Sequence, residues 1–341
     1  MGKAPSDVET AAPAGPLIEV APAPHVLSRA LTTRRMMIDV LIALAPVAVA
    51  SVLVFRWYAV LQILVCVPSC TLAEAILTRA RGKRLTLTDC SAMVTGLILA
   101  FSLPATAPVW VGIIGSFAAI GLGKIVFGGV GMNIFNPAMV GRAFVMMAFP
   151  GALAAGGYVL ADASVPVLTH ATPMTEVFQR SQDGGAVPAD LLASLFLGNT
   201  NGSLGETSAL ACLLGGLYLC VRRTASWEIP AGAILGLVAV AGLDNLARPE
   251  SQWTVLHHVL GGAFLLGAFF ILTDPVTSPL TPAAKLVFGA VFGALVMTIR
   301  LFTPYPEGVM FSVLAVNGIS PLLNRWMVPR PVGGPVPVKK G

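Results

Sequence analysis

The chain has 341 residues, 56% of them hydrophobic and 11% charged, with a mean hydropathy of +0.83 and a formal net charge of +5. Soluble domains carry about 25% charged residues, so the composition excludes a soluble globular protein and reads as a polytopic membrane protein. The positive balance calls for no nucleic-acid partner, because membrane topology accounts for the Lys and Arg residues.

The first stretch, Met1–Leu31, is rich in Ala and Pro and carries Lys3, Asp7, Glu9 and Glu19 without a continuous apolar core. It reads as a disordered cytoplasmic leader and not as a cleavable signal. Ten apolar runs follow: Met36–Phe55, Tyr58–Leu77, Ser91–Leu103, Val109–Phe127, Ala138–Ala155, Gly205–Val221, Trp227–Leu243, Val255–Thr273, Ala283–Leu301 and Gly308–Asn324. A straight span needs about 20 residues. Ser91–Leu103 is short, which predicts a half-helix or a tightly packed core segment.

The charges test this count. With the N-terminus inside, the outer side holds only Arg56, Arg180, Arg248 and Arg300, and the other 17 of the 21 Lys and Arg residues fall inside. The positive-inside rule therefore supports ten spans with both ends cytoplasmic. Five is odd, so two units of five would run in opposite directions, the inverted-repeat plan of many transporters. The expectation is an all-α polytopic membrane protein of about ten helices in two inverted repeats, with broken or short helices. Residues 1–31 form the leader, 32–155 the first repeat, 156–204 an extracytoplasmic loop, 205–327 the second repeat and 328–341 a cytoplasmic tail.

Within the first repeat, Gly128–Phe149 (GGVGMNIFNPAMVGRAFVMMAF) packs four glycines, two asparagines and a proline into Gly128–Gly141. These residues break a regular helix. Irregular backbone at membrane depth survives only where protein or a watery cavity covers it, so the stretch reads either as a binding site or as a tight cytoplasmic turn. Asp39 and Glu74 fall inside spans one and two, near the inner end. Asp89, Glu206, Asp244 and Asp274 lie at predicted boundaries. A carboxylate at mid-bilayer costs about 3 kcal/mol and usually faces a cavity, a partner or an ion path. The alternative is headgroup-level placement with helix capping, which suits Asp89 and Glu206 because each precedes an apolar run. Asp274, in the loop Thr273–Pro282, shares a side with Gly128–Pro137. Asn133, Asn136 and Asp274 are thus candidate lining groups of an ion path.

The five cysteines read as small buried residues, with Cys66 and Cys70 at i, i+4 on one helix face. His257 and His258 read as interfacial side chains and not as metal ligands. In the outer loop, Leu168–Glu176 presents hydroxyls beside a Pro-fixed backbone, and on residue chemistry alone it is a surface loop.

Four segments together, Gly128–Phe144, Leu272–Pro282, Gly202–Ala211 and Pro304–Leu314, resemble the NqrB/RnfD family. RnfD is a membrane component of the Rnf complex, and its sister NqrB is the corresponding component of the sodium-pumping NADH:quinone oxidoreductase. The resemblance runs from about Pro24 to Arg325. The short lead from Ala23-Pro24-His25 into Thr33–Met37, and a first loop of a few residues around Arg56, favour RnfD over its sister.

The resemblance implies FMN joined through its phosphate to a threonine hydroxyl in the outer loop, which aligns with Thr172. Two positions depart from the family pattern: Pro166 stands where an acid is expected and His170 where a small residue is expected. The resemblance further implies a non-covalent riboflavin and a flavin transferase that installs the FMN. The partners would be the other subunits of a complex coupling ferredoxin:NAD electron transfer to Na+ or H+ movement across the bacterial inner membrane. Two competing classes are a passive channel or transporter of the same plan and a scaffold subunit that has lost its FMN.

Overall fold

The computed structural model describes residues 32–83, 85, 87–153, 172–182, 185–249, 252–303 and 308–327. The leader, the tail, Pro166 and His170 lie outside the described residues. Within them the protein is all-helical, with a single isolated bridge between Pro104 and Ser203.

The first half holds α1 (Thr33–Phe55), α2 (Trp57–Ala80), α3 (Ser91–Ser102), α4 (Val109–Ile120), α5 (Pro137–Ala148) and the short α6 (Pro150–Leu153). The outer segment carries α7 (Pro173–Gln182) and α8 (Leu191–Leu197). The second half holds α9 (Ala209–Val221), α10 (Glu228–Ala247), α11 (Val255–Leu260), α12 (Phe264–Leu266), α13 (Pro282–Phe302) and α14 (Val309–Trp326). Among the described residues α1, α2, α10 and α13 are long and apolar enough to cross a bilayer alone, whereas α3, α4, α5 and α9 are shorter.

The short helices are explained by what fills their ends. The 12 residues of α3 rise about 18 Å, well under a bilayer core. Residues 202–208 close the gap: the Leu204 and Gly205 N–H groups donate to Leu103 O (3.2 Å) and Phe101 O (2.8 Å). Gly205 lies so near Phe101 and Leu266 that a Cβ would strike both side chains. Span eight is likewise interrupted. Gly261–Ala263 separates α11 from α12, which runs into a π turn at Gly267–Ile271, and α4 ends in a second π turn at Gly121–Ile125. Such turns are frequent at functional sites because the extra residue re-aims side chains.

The packing repeats between halves. The second span lies on the fourth in each, α2 on α4 and α10 on α13, and the fourth on the fifth, α4 on α5 and α13 on α14. The two first spans, α1 and α9, pack on each other across the halves, as do the two fifth spans, α5 and α14. Without a hydrophobic drive between helices in lipid, close backbone approach holds them together. The α10–α13 seam shows how: a Cβ on Gly232, Gly236, Gly289 or Gly293 would strike a carbonyl of the opposing helix.

The outer segment is more than a surface loop. Met174 and Phe178 of α7 and Leu191 and Leu195 of α8 pack around Trp253 as a separate small apolar cluster. His257 and His258 are buried against it and not interfacial. Phe178 lies edge-on to His258 at 5.0 Å between centroids, and Trp253 lies 5.0 Å from His257. The Arg300 guanidinium, in the last turn of α13, donates to His258 O (2.6 Å) and Gly261 O (2.8 Å). It thereby satisfies carbonyls that the break in span eight leaves open.

Candidate functional site

The irregular stretch Gly128–Asn136 and the loop after span eight face one another across a cleft. Three glycines of the stretch, Gly128, Gly129 and Gly131, have φ of 125°, 115° and 87°, a region that side chains other than glycine rarely enter. The cleft has apolar walls from α1 (Met37, Val40), α3 (Val94, Ile98) and the π turn of span eight (Phe270). Its polar lining includes Thr95, Lys124, Asn133, Asn136 and Asp274. The structure thus brings Asn133, Asn136 and Asp274 to the wall of one cleft.

The three differ in what they are free to do. Asn136 is a structural clamp. Its Oδ1 accepts from the Ala138 and Met139 N–H groups at 3.0 and 3.4 Å, capping α5, while its Nδ2 donates to Ile271 O at 3.3 Å. Its backbone N–H donates to Asn317 Oδ1 of α14 at 3.0 Å. Asn133 spends only its Nδ2, on Phe135 O at 3.3 Å. Asp274 accepts from the Val276 N–H at 3.3 Å and the Thr277 hydroxyl at 3.5 Å. Desolvation in the cleft pushes the Asp274 carboxyl up to about 6, against those hydrogen bonds and the more distant Lys124 charge.

Lys124 is the feature that sequence reading missed. It sits in the π turn that ends α4, 3% exposed, with its ammonium 2.7 Å from both oxygens of Glu74 and 2.7 Å from Ser91 Oγ. Three donors meet three acceptors, which is the condition for a buried ion pair to persist. Ser91 in turn donates its hydroxyl (2.7 Å) and its N–H (2.9 Å) to Asp89 Oδ1, so Asp89 does help to cap α3. The available signal was an acid and a base inside two apolar runs, both near the inner end. Asp39, the other buried acid of the first half, is also paired, with Arg222 at 3.3 Å and the Thr224 hydroxyl at 3.0 Å. The cysteines split: Cys66, Cys70 and Cys212 are buried, while Cys90 and Cys220 are intermediate.

Thr172 stands apart from the cleft. It is half-buried and immediately precedes Pro173, the first residue of α7, which the Phe178–Trp253 contact (5.4 Å) holds against the second half. Helix N-termini leave N–H groups unpaired and favour anions. A phosphate on the residue before α7 therefore meets a favourable field.

Comparison with known proteins adds the following. The sequence profile of the NQR2, RnfD, RnfE family matches residues 19–333. The chain is 36% identical over 324 residues to the D subunit of the Na(+)-translocating ferredoxin:NAD(+) oxidoreductase complex of Acetobacterium woodii, covering 95% of this chain and 97% of the relative. It is 37% identical to the D subunit of the ion-translocating oxidoreductase complex of Halorhodospira halophila (92% and 95% covered). A third relative, at 34% identity, is the D subunit of the proton-translocating ferredoxin:NAD(+) oxidoreductase complex of Clostridium ljungdahlii (92% and 95% covered).

Proposed function

Because the chain belongs to the NQR2, RnfD, RnfE family, we propose that it is the electron-carrying membrane subunit of an ion-translocating oxidoreductase complex, with FMN joined through its phosphate to Thr172. Its partners are then the other subunits of that complex and a flavin transferase that acts on the outer face of the inner membrane. Both termini lie on the cytoplasmic side in this reading, as the charge asymmetry of the sequence suggests.

The observation that carries the reading is the position of Thr172 at the mouth of α7. A phosphodiester there gains from the helix N-terminus and leaves its ring free to lie against the outer segment. The Met174, Phe178 and Trp253 cluster fixes α7 on the membrane body, so a group on Thr172 is held at a set place and not on a tether. In this reading the inner cleft is the seat of a second, non-covalent flavin such as riboflavin. Val94, Ile98 and Phe270 offer apolar faces, while Asn133, Asp274 and Lys124 offer an acceptor, an acid and a cation at its edge. When bound, these flavins supply the electron-accepting chemistry. The protein's share is to bind them, exclude water and set the charge around them. Asn133 and Asp274 also form the proposed inner stretch of an ion path, with Asn136 fixing its geometry.

In-gel ultraviolet fluorescence of the denatured protein tests the assignment. Wild type gives a fluorescent band and Thr172→Ala a dark one. A dark wild-type band, from cells whose transferase labels a control protein, would overturn the covalent flavin and favour the scaffold role that Pro166 and His170 suggest.

A further inference from the structure

A second, small cavity lies behind the inner cleft, lined by Ser102, Met139, Arg142, Glu206, Ile271 and Met310 among others. The two share their walls. On α3 Ile98 faces the cleft and Ser102 the second cavity, and on α5 these places fall to Pro137 and Met139. In the π turn of span eight they fall to Phe270 and Ile271. About one turn or less of each element separates them. The second cavity occupies the depth where α3 stops and residues 202–208 fill in.

Glu206 is anomalous there. The residue is 8% exposed, yet among the described residues its carboxylate has no hydrogen-bond or ion-pair partner. It does not cap α9, because Ser208 does so, accepting from the Ala211 N–H at 3.2 Å. Asp39 and Glu74 at comparable burial each have a cation. Arg142 lines the same cavity. A carboxylate this buried without a cation beside it is unusual, and in a membrane protein such a group marks a pathway or a missing counter-ion. Ser102, whose hydroxyl donates to Leu99 O at 2.8 Å, keeps lone pairs free on the cavity side.

We propose that Glu206 and the Ser102 oxygen form an outer cation site, for a sodium ion or a proton, back to back with the inner cleft. Both ions demand the same chemistry, an anionic oxygen donor in a small enclosed space. The positive charge of Arg142 on the same wall keeps the site from holding its cation too tightly, which transport requires. The site rests on the reading that this protein takes part in ion movement.

The test uses the whole purified complex reconstituted in vesicles, with radioactive sodium and a pH-sensitive dye as probes and flavin content and complex assembly as controls. With Glu206→Gln, the half-saturating Na+ concentration rises about tenfold or more, or proton uptake per electron falls, while flavin content stays constant. Glu206→Asp restores part of the loss, which a purely structural role does not predict. Loss of sodium uptake alone assigns Na+, and loss of the dye signal in sodium-free medium assigns H+. Unchanged transport of both ions in Glu206→Gln overturns the site. A wild-type complex that passes electrons and moves neither ion overturns the broader reading instead. Should Glu206→Gln fail to assemble, labelling of wild-type Glu206 by dicyclohexylcarbodiimide decides the matter. Labelling slowed by Na+ or by rising pH supports the site, and labelling indifferent to both, or none, refutes it.

Discussion

The cleft and the second cavity of this protein are built on the same elements but treat charge in opposite ways. Toward the cleft, Glu74 has Lys124, Asp39 has Arg222, and Asp89 has the amide and hydroxyl of Ser91. In the outer cavity Glu206 has no partner among the described residues. A buried pair fixes geometry because neither member can leave without stranding the other. An unpaired acid fixes nothing and is available to something mobile. The cleft is therefore framed by paired charges, whereas the second cavity holds an acid outside that frame.

Variants sharpen this contrast, and the largest effect belongs to the frame. Lys124→Ala strands Glu74 and should destabilise the protein by about 3–5 kcal/mol, seen as a lower unfolding temperature in detergent. Lys124→Met with Glu74→Gln should be milder than Lys124→Ala alone. If the double variant is the worse of the two, the pair is not what holds α2 to α4. Phe178→Ala removes the aromatic centre of the outer cluster and should cost about 3 kcal/mol. The loss is local: protease should cut the outer segment sooner while the membrane helices stay protected.

Smaller effects follow. Gly293→Ala pushes a methyl into the Ala233 carbonyl of α10 and should cost about 1–3 kcal/mol, read from the same unfolding curves. Asp274→Asn tests the raised carboxyl pKa of about 6. A pKa raised on folding gives stability that is present at acid pH and lost as pH rises through the folded value. Wild type should thus weaken between about pH 4 and pH 6, and the Asn variant should show a flatter profile. Arg248→Ala breaks only the half-exposed pair with Asp244 and should shift stability by less than about 1 kcal/mol.

Much of this arrangement is legible in the sequence because hydropathy is a local property. The ten runs locate the spans, the short run from Ser91 to Leu103 announces a short helix, and Gly128–Pro137 announces irregular backbone. The role proposed for Thr172 comes only from resemblance, since a hydroxyl beside a proline has no chemistry of its own. The Lys124–Glu74 pair is hidden because counting charges by side treats Lys124 as a topology marker, and nothing local shows that a π turn aims it inward. The helices α7 and α8 are hidden for another reason. They are short, and the Trp253 that stabilises them lies far along the chain, beyond α9 and α10. Glu206 precedes an apolar run as a capping residue does. Only the three-dimensional closure of residues 202–208 onto the end of α3 shows that Ser208 does the capping.

Asn136 ties three things together: the start of α5, the π turn at Ile271 and Asn317 in α14. Its neighbours Pro137 and Met139 face the cleft and the outer cavity respectively. A push on the cleft floor cannot be absorbed locally, because α5 has no slack between those two residues. It must tilt the helix as a lever about Asn136, and the other arm of that lever carries Met139 and Arg142 into the outer cavity. The two compartments then communicate by leverage, with no need for an open channel between them.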